Sequence, residues 1–121
     1  MENLEAYKWK NIEELEWTTD HDYKRIEQYL KDNFTIEESL ELAEFVNTMQ
    51  DDLQNRFHNS WLAEPGIAVS DDGWDDLTSE VVGRGEDFYK NITEEKLQEM
   101  AINLDYHENF RYSFQFTYEF A

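Results

Sequence analysis

The sequence predicts a mainly α-helical protein, a compact bundle of about four to five helices with a C-terminal β-strand as an open addition, paired as a short hairpin or at an edge. Three observations carry that prediction. Apolar residues recur every three or four positions from Ile36 to Trp61. Cap-type residues stand before four separate apolar stretches, at Thr19-Asp20, Thr35, Ser70 and Thr93. The 121 residues hold one proline and four glycines and no linker-like stretch, so one domain spanning 1–121 is expected.

The elements follow in chain order. Residues 4–17 carry Leu4, Ile12 and Leu15 among glutamates, a weak helical pattern, and the alternation of Tyr7 and Trp9 leaves a short strand open. Thr19 or Asp20 caps a helix over 21–32 whose apolar face is Tyr23, Ile26, Tyr29 and Leu30. Thr35-Ile36-Glu37-Glu38 is a capping box. The helix behind it runs about 26 residues, with Ile36, Leu40, Ala43, Phe45 or Val46, Met49, Leu53, Phe57 and Trp61 inward, and stops before the turn Glu64-Pro65-Gly66. Ser70 starts another helix, with Asp71 and Asp72 where the helix dipole favours anions, and Trp74, Leu77, Val81 and Phe88 share its face to residue 90. Gly85 falls on that face, where a close helix–helix approach offsets its low helix propensity. Asn91-Ile92-Thr93 closes this helix and caps one over 94–104 with Leu97, Ala101 and Leu104 inward.

The tail changes period. Phe110, Tyr112, Phe114, Phe116, Tyr118 and Phe120 alternate with polar residues, a strand pattern with one aromatic face. Such a strand needs a partner, either the Tyr7–Trp9 stretch or a second copy of the chain. The other arrangement is an extended tail with its rings in grooves of the helices. A late helix is disfavoured, because rings at every second position would point all round it.

The middle of the chain resembles a known family. The helix ending in Phe57–Trp61, the run Gly66-Ile67-Ala68-Val69-Ser70-Asp71-Asp72-Gly73-Trp74, the run Val81-Val82-Gly83-Arg84-Gly85 and the pair Phe88-Tyr89 are similar to domain-of-unknown-function family 4240, a bacterial family. The chain departs from that pattern at Glu64-Pro65-Gly66, at Ala68-Val69 and in its aromatic tail. The resemblance implies a mainly helical domain and no particular activity.

Composition narrows the function. Twenty-nine acidic residues against ten basic ones give a formal charge of -19. That charge repels nucleic acid, anionic lipid and acidic substrates, and it speeds encounter with basic partners. Aromatics at 16% place the chain among folded acidic domains, because disordered acidic tails are poor in them. Cysteine is absent, which removes disulfide and thiolate chemistry. No run of 18 apolar residues is present, and the acidic first residues lack the basic region of a signal peptide, so a cytoplasmic location away from membranes is expected.

No motif names a reaction. Asp71, Asp72, Asp75 and Asp76 around Trp74 could hold a hard cation, but their spacing is not that of a calcium loop, and helix capping accounts for Ser70, Asp71 and Asp72. His21, His58 and His107 lack the four-residue spacing of a helical zinc pair and read as solvated or core-edge side chains. Gly83-Arg84-Gly85 lacks the lysine and hydroxyl of a phosphate loop. The sequence therefore calls for no catalytic residue, no cofactor and no metal.

The charge is unevenly placed. Residues 32–83 hold thirteen acids and one base, Arg56, whereas residues 1–31 hold eight acids and five bases. Glu37, Glu41 and Glu44 line one helix face, where like charges are mildly destabilising. The expected function is an acidic protein-binding inhibitor. Its simplest form is an immunity protein that neutralises a basic nuclease toxin by occluding its nucleic-acid-binding surface. The contact residues expected are Glu37, Glu38, Glu41, Glu44, Asp51, Asp52, Asp71, Asp72, Trp74, Asp75 and Asp76. A phage-type nucleic-acid mimic, a carboxylate or metal-assisted enzyme at Asp71–Asp76, and a homo-oligomer paired through the aromatic strand are the alternatives.

Overall fold

Closely spaced cap residues and a scarcity of proline favour a series of helices broken at defined points. The computed structural model describes residues 2–57, 71–107 and 110–119. In chain order it contains α1 (Glu2–Glu14), α2 (Trp17–Asp20), α3 (Tyr23–Asn33), α4 (Ile36–Arg56), α5 (Asp71–Gly83), α6 (Glu86–Asn91), α7 (Glu94–Ile102), a 3₁₀ turn (Phe110–Phe114) and α8 (Gln115–Glu119). Among the described residues there is no strand. Trp61, His58, the turn at Glu64-Pro65-Gly66, the Ser70 cap and Phe120 lie outside the described residues.

The capping box forms as expected. The Glu38 amide donates to the Thr35 hydroxyl at 3.0 Å, and the Thr35 amide donates to the Glu38 carboxylate at 2.8 Å. Two donors that a helix start leaves orphaned are thereby satisfied. From this point α4 runs through the centre of the protein and packs against α1, α3, α5, the 3₁₀ turn and α8. It buries Leu42, Ala43, Phe45, Val46, Gln50 and Leu53, a wider face than one apolar stripe, because neighbours cover it from several sides. It ends at Arg56, earlier than the apolar spacing predicts, and Phe57 is already extended at φ -122.

Near the N-terminus the strand alternative fails and helix prevails. Trp9 and Ile12 are buried on α1, while Tyr7 is exposed. The helix ends at Glu14, and left-handed residues at Glu16 and His21, with φ 54 and 53, bracket the single turn of α2. That turn separates α1 from α3, so the cap of α3 is Asp22 and not Thr19 or Asp20. Asp22 accepts from the Lys24 amide at 3.0 Å and the Arg25 amide at 3.3 Å. Asp20 instead bonds Arg25, whose guanidinium holds its carboxyl below the usual range.

Gly83 and Gly85 break the predicted helix over 70–90 into α5 and α6. Gly85 has φ +104, a backbone state open chiefly to glycine, and serves as the N-cap of α6. The close approach expected at Gly85 is present, a Cβ there standing 3.2 Å from Cγ of Glu13 on α1, and a tighter one occurs two residues earlier. A Cβ on Gly83 would stand 2.9 Å from Cδ1 of Trp17 and 3.2 Å from the Phe110 ring. The Thr93 cap forms as expected, its hydroxyl accepting the Lys96 amide at 3.1 Å. Met100 joins Leu97 and Ala101 in the core, whereas Leu104 lies beyond the helix, left-handed at φ 53 and 73% exposed.

The C-terminal strand is overturned. With α1 helical, a strand at 110–119 has no partner among the described residues. The tail instead coils into the 3₁₀ turn and α8. Phe110, Phe114 and Phe116 enter the core, and the small Ser113 and Thr117 are buried beside them. Tyr112 and Tyr118 stay at the surface, Tyr112 edge-on to Tyr23 and Tyr118 bonded by Asn47 at 2.9 Å. The rings do not point all round the coil: phenylalanine marks the inward positions and tyrosine the outward ones. Pairing with a second copy through this segment would need a strand that is absent among the described residues. The buried apolar side chains of α1 through α8 form one cluster.

Two glycine substitutions test the break. Gly83→Ala should lose about 1–3 kcal/mol through overpacking against Trp17 and Phe110. Gly85→Ala should lose about 1–3 kcal/mol through backbone strain at positive φ. Urea unfolding followed by tryptophan fluorescence measures both.

Candidate functional site

Of the acidic residues in the middle of the chain, those on α4 form a continuous surface. Glu37, Glu41, Glu44 and Asp51 succeed one another at intervals of four, three and seven residues, which places them on one face. All four are exposed. Among the described residues none of them makes an ion pair or a side-chain hydrogen bond. At 1.5 Å per residue, Glu37 and Asp51 are about 21 Å apart along the axis. The face opposite carries the buried side chains of α4, so the stripe cannot turn inward.

The other expected contact residues have structural tasks. Glu38 closes the capping box. Asp52 accepts a bond from the Tyr89 hydroxyl and pairs with Arg56 at 3.2 Å. Arg56 in turn donates to the Tyr89 carbonyl at 3.1 Å and lies over the Tyr89 ring. Burial and the Asp52 bond raise the Tyr89 phenol above its ordinary pKa. Asp75 accepts from the Gln54 amide at 2.8 Å, and Asp76 pairs with Arg111 at 2.8 Å. Those two bonds fasten α5 to α4 and to the 3₁₀ turn. Trp74 is buried, so it is not an exposed anchor for a partner. Asp71 and Asp72 lie in the first turn of α5.

A small cleft of about 80 Å³ flanks the acidic stripe between α1 and α4. Its lining includes Tyr7, Phe34, Glu38 and Glu41, with Lys8 at one side. Aromatic walls beside two carboxylates suit the stem and head of a basic side chain.

A third cluster was not evident from spacing. Glu80, on α5, is fully buried. Its Oε1 accepts from Trp17 Nε1 at 3.1 Å and from the His107 amide at 2.9 Å, while Oε2 pairs with Arg84 Nε at 2.9 Å. Burial works against the Arg84 charge, but bonds to Glu80 and Asp105 outweigh it and raise its pKa. The His107 ring stacks on His21 with centroids 3.8 Å apart, and Nδ1 of His107 lies 3.4 Å from Glu80 Oε1. The two histidines are far apart in sequence, and only the packing of α2, α5 and the segment after α7 joins them. The one sequence signal was a glutamate on the inward side of α5, one residue from Val81.

No family model matches the chain, and neither a curated protein nor a solved structure matches it. Among the described residues, no helix is long and apolar enough to cross a membrane.

Two substitutions separate structural from surface charges. Arg84→Ala should destabilise by about 3–5 kcal/mol, since it leaves a buried carboxylate without its counter-ion. Asp105→Asn, at a half-exposed pair, should cost no more than about 1 kcal/mol. Thermal or urea unfolding resolves the difference. Tyr89 gives a pH signature. Its raised pKa favours the protonated phenol in the folded state, so that contribution is intact below pH about 10, where free tyrosine titrates, and is lost as pH rises beyond it. Tyr89→Phe should lessen the fall in urea midpoint above that pH.

Proposed function

We propose that this protein is an acidic inhibitor of a basic protein, in its simplest form an immunity protein that covers the nucleic-acid-binding surface of a nuclease-type toxin. The observation that carries the reading is the α4 stripe. Glu37, Glu41, Glu44 and Asp51 are exposed and serve no internal bond among the described residues. Their mutual repulsion works against the isolated helix. A positively charged partner would turn that repulsion into attraction and accelerate capture.

The cleft beside the stripe supplies what a row of charges lacks. Charged rims govern association rate more than affinity, and affinity concentrates at a few anchors seated in pockets. An arginine or lysine of the partner entering between Tyr7 and Phe34 would meet Glu41, whose carboxylate has no internal partner among the described residues. Asp75, Asp76 and Trp74 are left out of this surface, because they hold the fold together or lie within it.

A nucleic-acid mimic is the second reading, favoured by the straight run of the stripe along one helix. The two differ in what the stripe must match. A mimic would inhibit several unrelated nucleic-acid-binding proteins, whereas an immunity protein would discriminate among them through its cleft.

The test uses toxin-type nuclease domains with basic active-site surfaces. The wild-type protein should inhibit one of them, with an association rate that falls steeply as salt rises. Reversing Glu37, Glu41, Glu44 and Asp51 to lysine should slow association at low salt by more than about tenfold. Inhibition that survives this reversal unaltered would refute the stripe as the contact.

A further inference from the structure

His21, Glu80 and His107 stand where a metal ion would be held. His21 ends α2, Glu80 is on α5, and His107 follows α7. One ligand atom from each lies within 4.8 Å of the others. We propose that these three side chains form a binding site for a divalent transition-metal ion of the zinc type. The site does not depend on the stripe or on the inhibitor reading.

The key distance is the 3.4 Å between His107 Nδ1 and Glu80 Oε1. It is long for a hydrogen bond, since N–H···O contacts centre near about 2.9–3.0 Å. It fits two neighbouring ligands of one tetrahedral ion. Donors about 2.0–2.1 Å from zinc and separated by a tetrahedral angle are about 3.4 Å apart. Glu80 and His107 therefore already have the spacing of one edge of the coordination shell.

The carboxylate is fixed in advance. Trp17 Nε1, the His107 amide and Arg84 all bond it, so its rotamer is set without an ion. Such outer partners orient ligands in metal sites. An ion would take the place of the long 3.4 Å contact and share Oε1 with the Trp17 and His107 amide donors. His21 supplies the third ligand by turning its ring out of the stack. Among the described residues no hydrogen bond holds that ring in place.

Charge and access also fit. Two carboxylates, Glu80 and Asp105, face the single guanidinium of Arg84 at this site, an excess of acid that favours a cation. Two imidazoles with one carboxylate suit zinc, nickel and cobalt, whereas magnesium and calcium require oxygen ligands. The His107 side chain is 45% exposed, so an ion can enter. Three protein ligands leave a fourth position for water.

Zinc titration of untagged protein by calorimetry tests the site, with Trp17 fluorescence as a second readout. The Trp17 ring lies edge-on to both histidines, at 5.1 and 6.1 Å. Two variants preserve the fold. His21→Asn tolerates the left-handed backbone, and His107→Ala keeps the amide bond to Glu80. Circular dichroism confirms that each is helical. The expected result is one zinc ion per chain, a changed Trp17 emission, and affinity weakened by more than about tenfold in each variant. Absence of zinc binding, variants that bind as tightly as the wild type, or displacement of zinc by equimolar magnesium would each overturn the proposal.

Discussion

A carboxylate without any exposed surface, inside a protein whose formal charge is -19, is the constraint on which the rest of the structure depends. An isolated buried charge costs several kcal/mol. Glu80 is tolerable only if every donor arrives at once. Trp17 Nε1 fixes α2, the His107 amide fixes the segment behind α7, and Arg84 fixes the end of α5. Each donor comes from a different part of the chain, so the carboxylate sets how those parts meet. Arg84 then extends the network to Asp105, whose carbonyl and carboxylate it bonds at 3.0 and 2.9 Å.

Packing around that network explains the helix break. Trp17 must come close enough to α5 for its indole to reach Glu80. The space is made at Gly83, where any side chain would meet the Trp17 ring. Phe110 presses on the same point and packs against Trp17 with centroids 5.2 Å apart. After Gly83 the chain must turn, and Gly85 makes the turn at positive φ. A second aromatic group holds the opposite side. Trp9 packs on Phe45 and Tyr89, and Tyr89 reaches Asp52 while Arg56 covers its ring.

Local chemistry made much of the fold readable. The capping box at Thr35 and the cap at Thr93 act over three residues and formed where the sequence put them. The inward residues Ile26, Leu30, Leu53, Leu77, Val81 and Leu97 follow from period alone. Misreadings arose where tertiary contacts chose between local options. Asp20, a good cap, was taken by Arg25, and the cap passed to Asp22. The tail's alternation suggested a strand because ring size was counted and the phenol was not. Treating Phe and Tyr as different letters would have shown Phe110, Phe114 and Phe116 turned one way and Tyr112 and Tyr118 the other. The candidate surface divided in the same manner. Glu37, Glu41, Glu44 and Asp51 were legible because a helix face is a local property. The roles of Asp52, Asp75 and Asp76 were not, since Tyr89, Gln54 and Arg111 come from other elements. The meeting of His21 and His107 across the fold left no trace in spacing.

The stripe on α4 and the network at Glu80 also differ in how freely they can change. Any replacement at Glu80, Arg84, Trp17 or Gly83 disturbs several partners together, so those positions must vary jointly or stay as they are. The stripe residues answer to no neighbour among the described residues. A glutamate there can become aspartate, glutamine or lysine without loss of a native bond. Drift of the surface is therefore uncoupled from drift of the core. A lineage carrying this fold could change the charge of that surface one residue at a time, with each intermediate still folded.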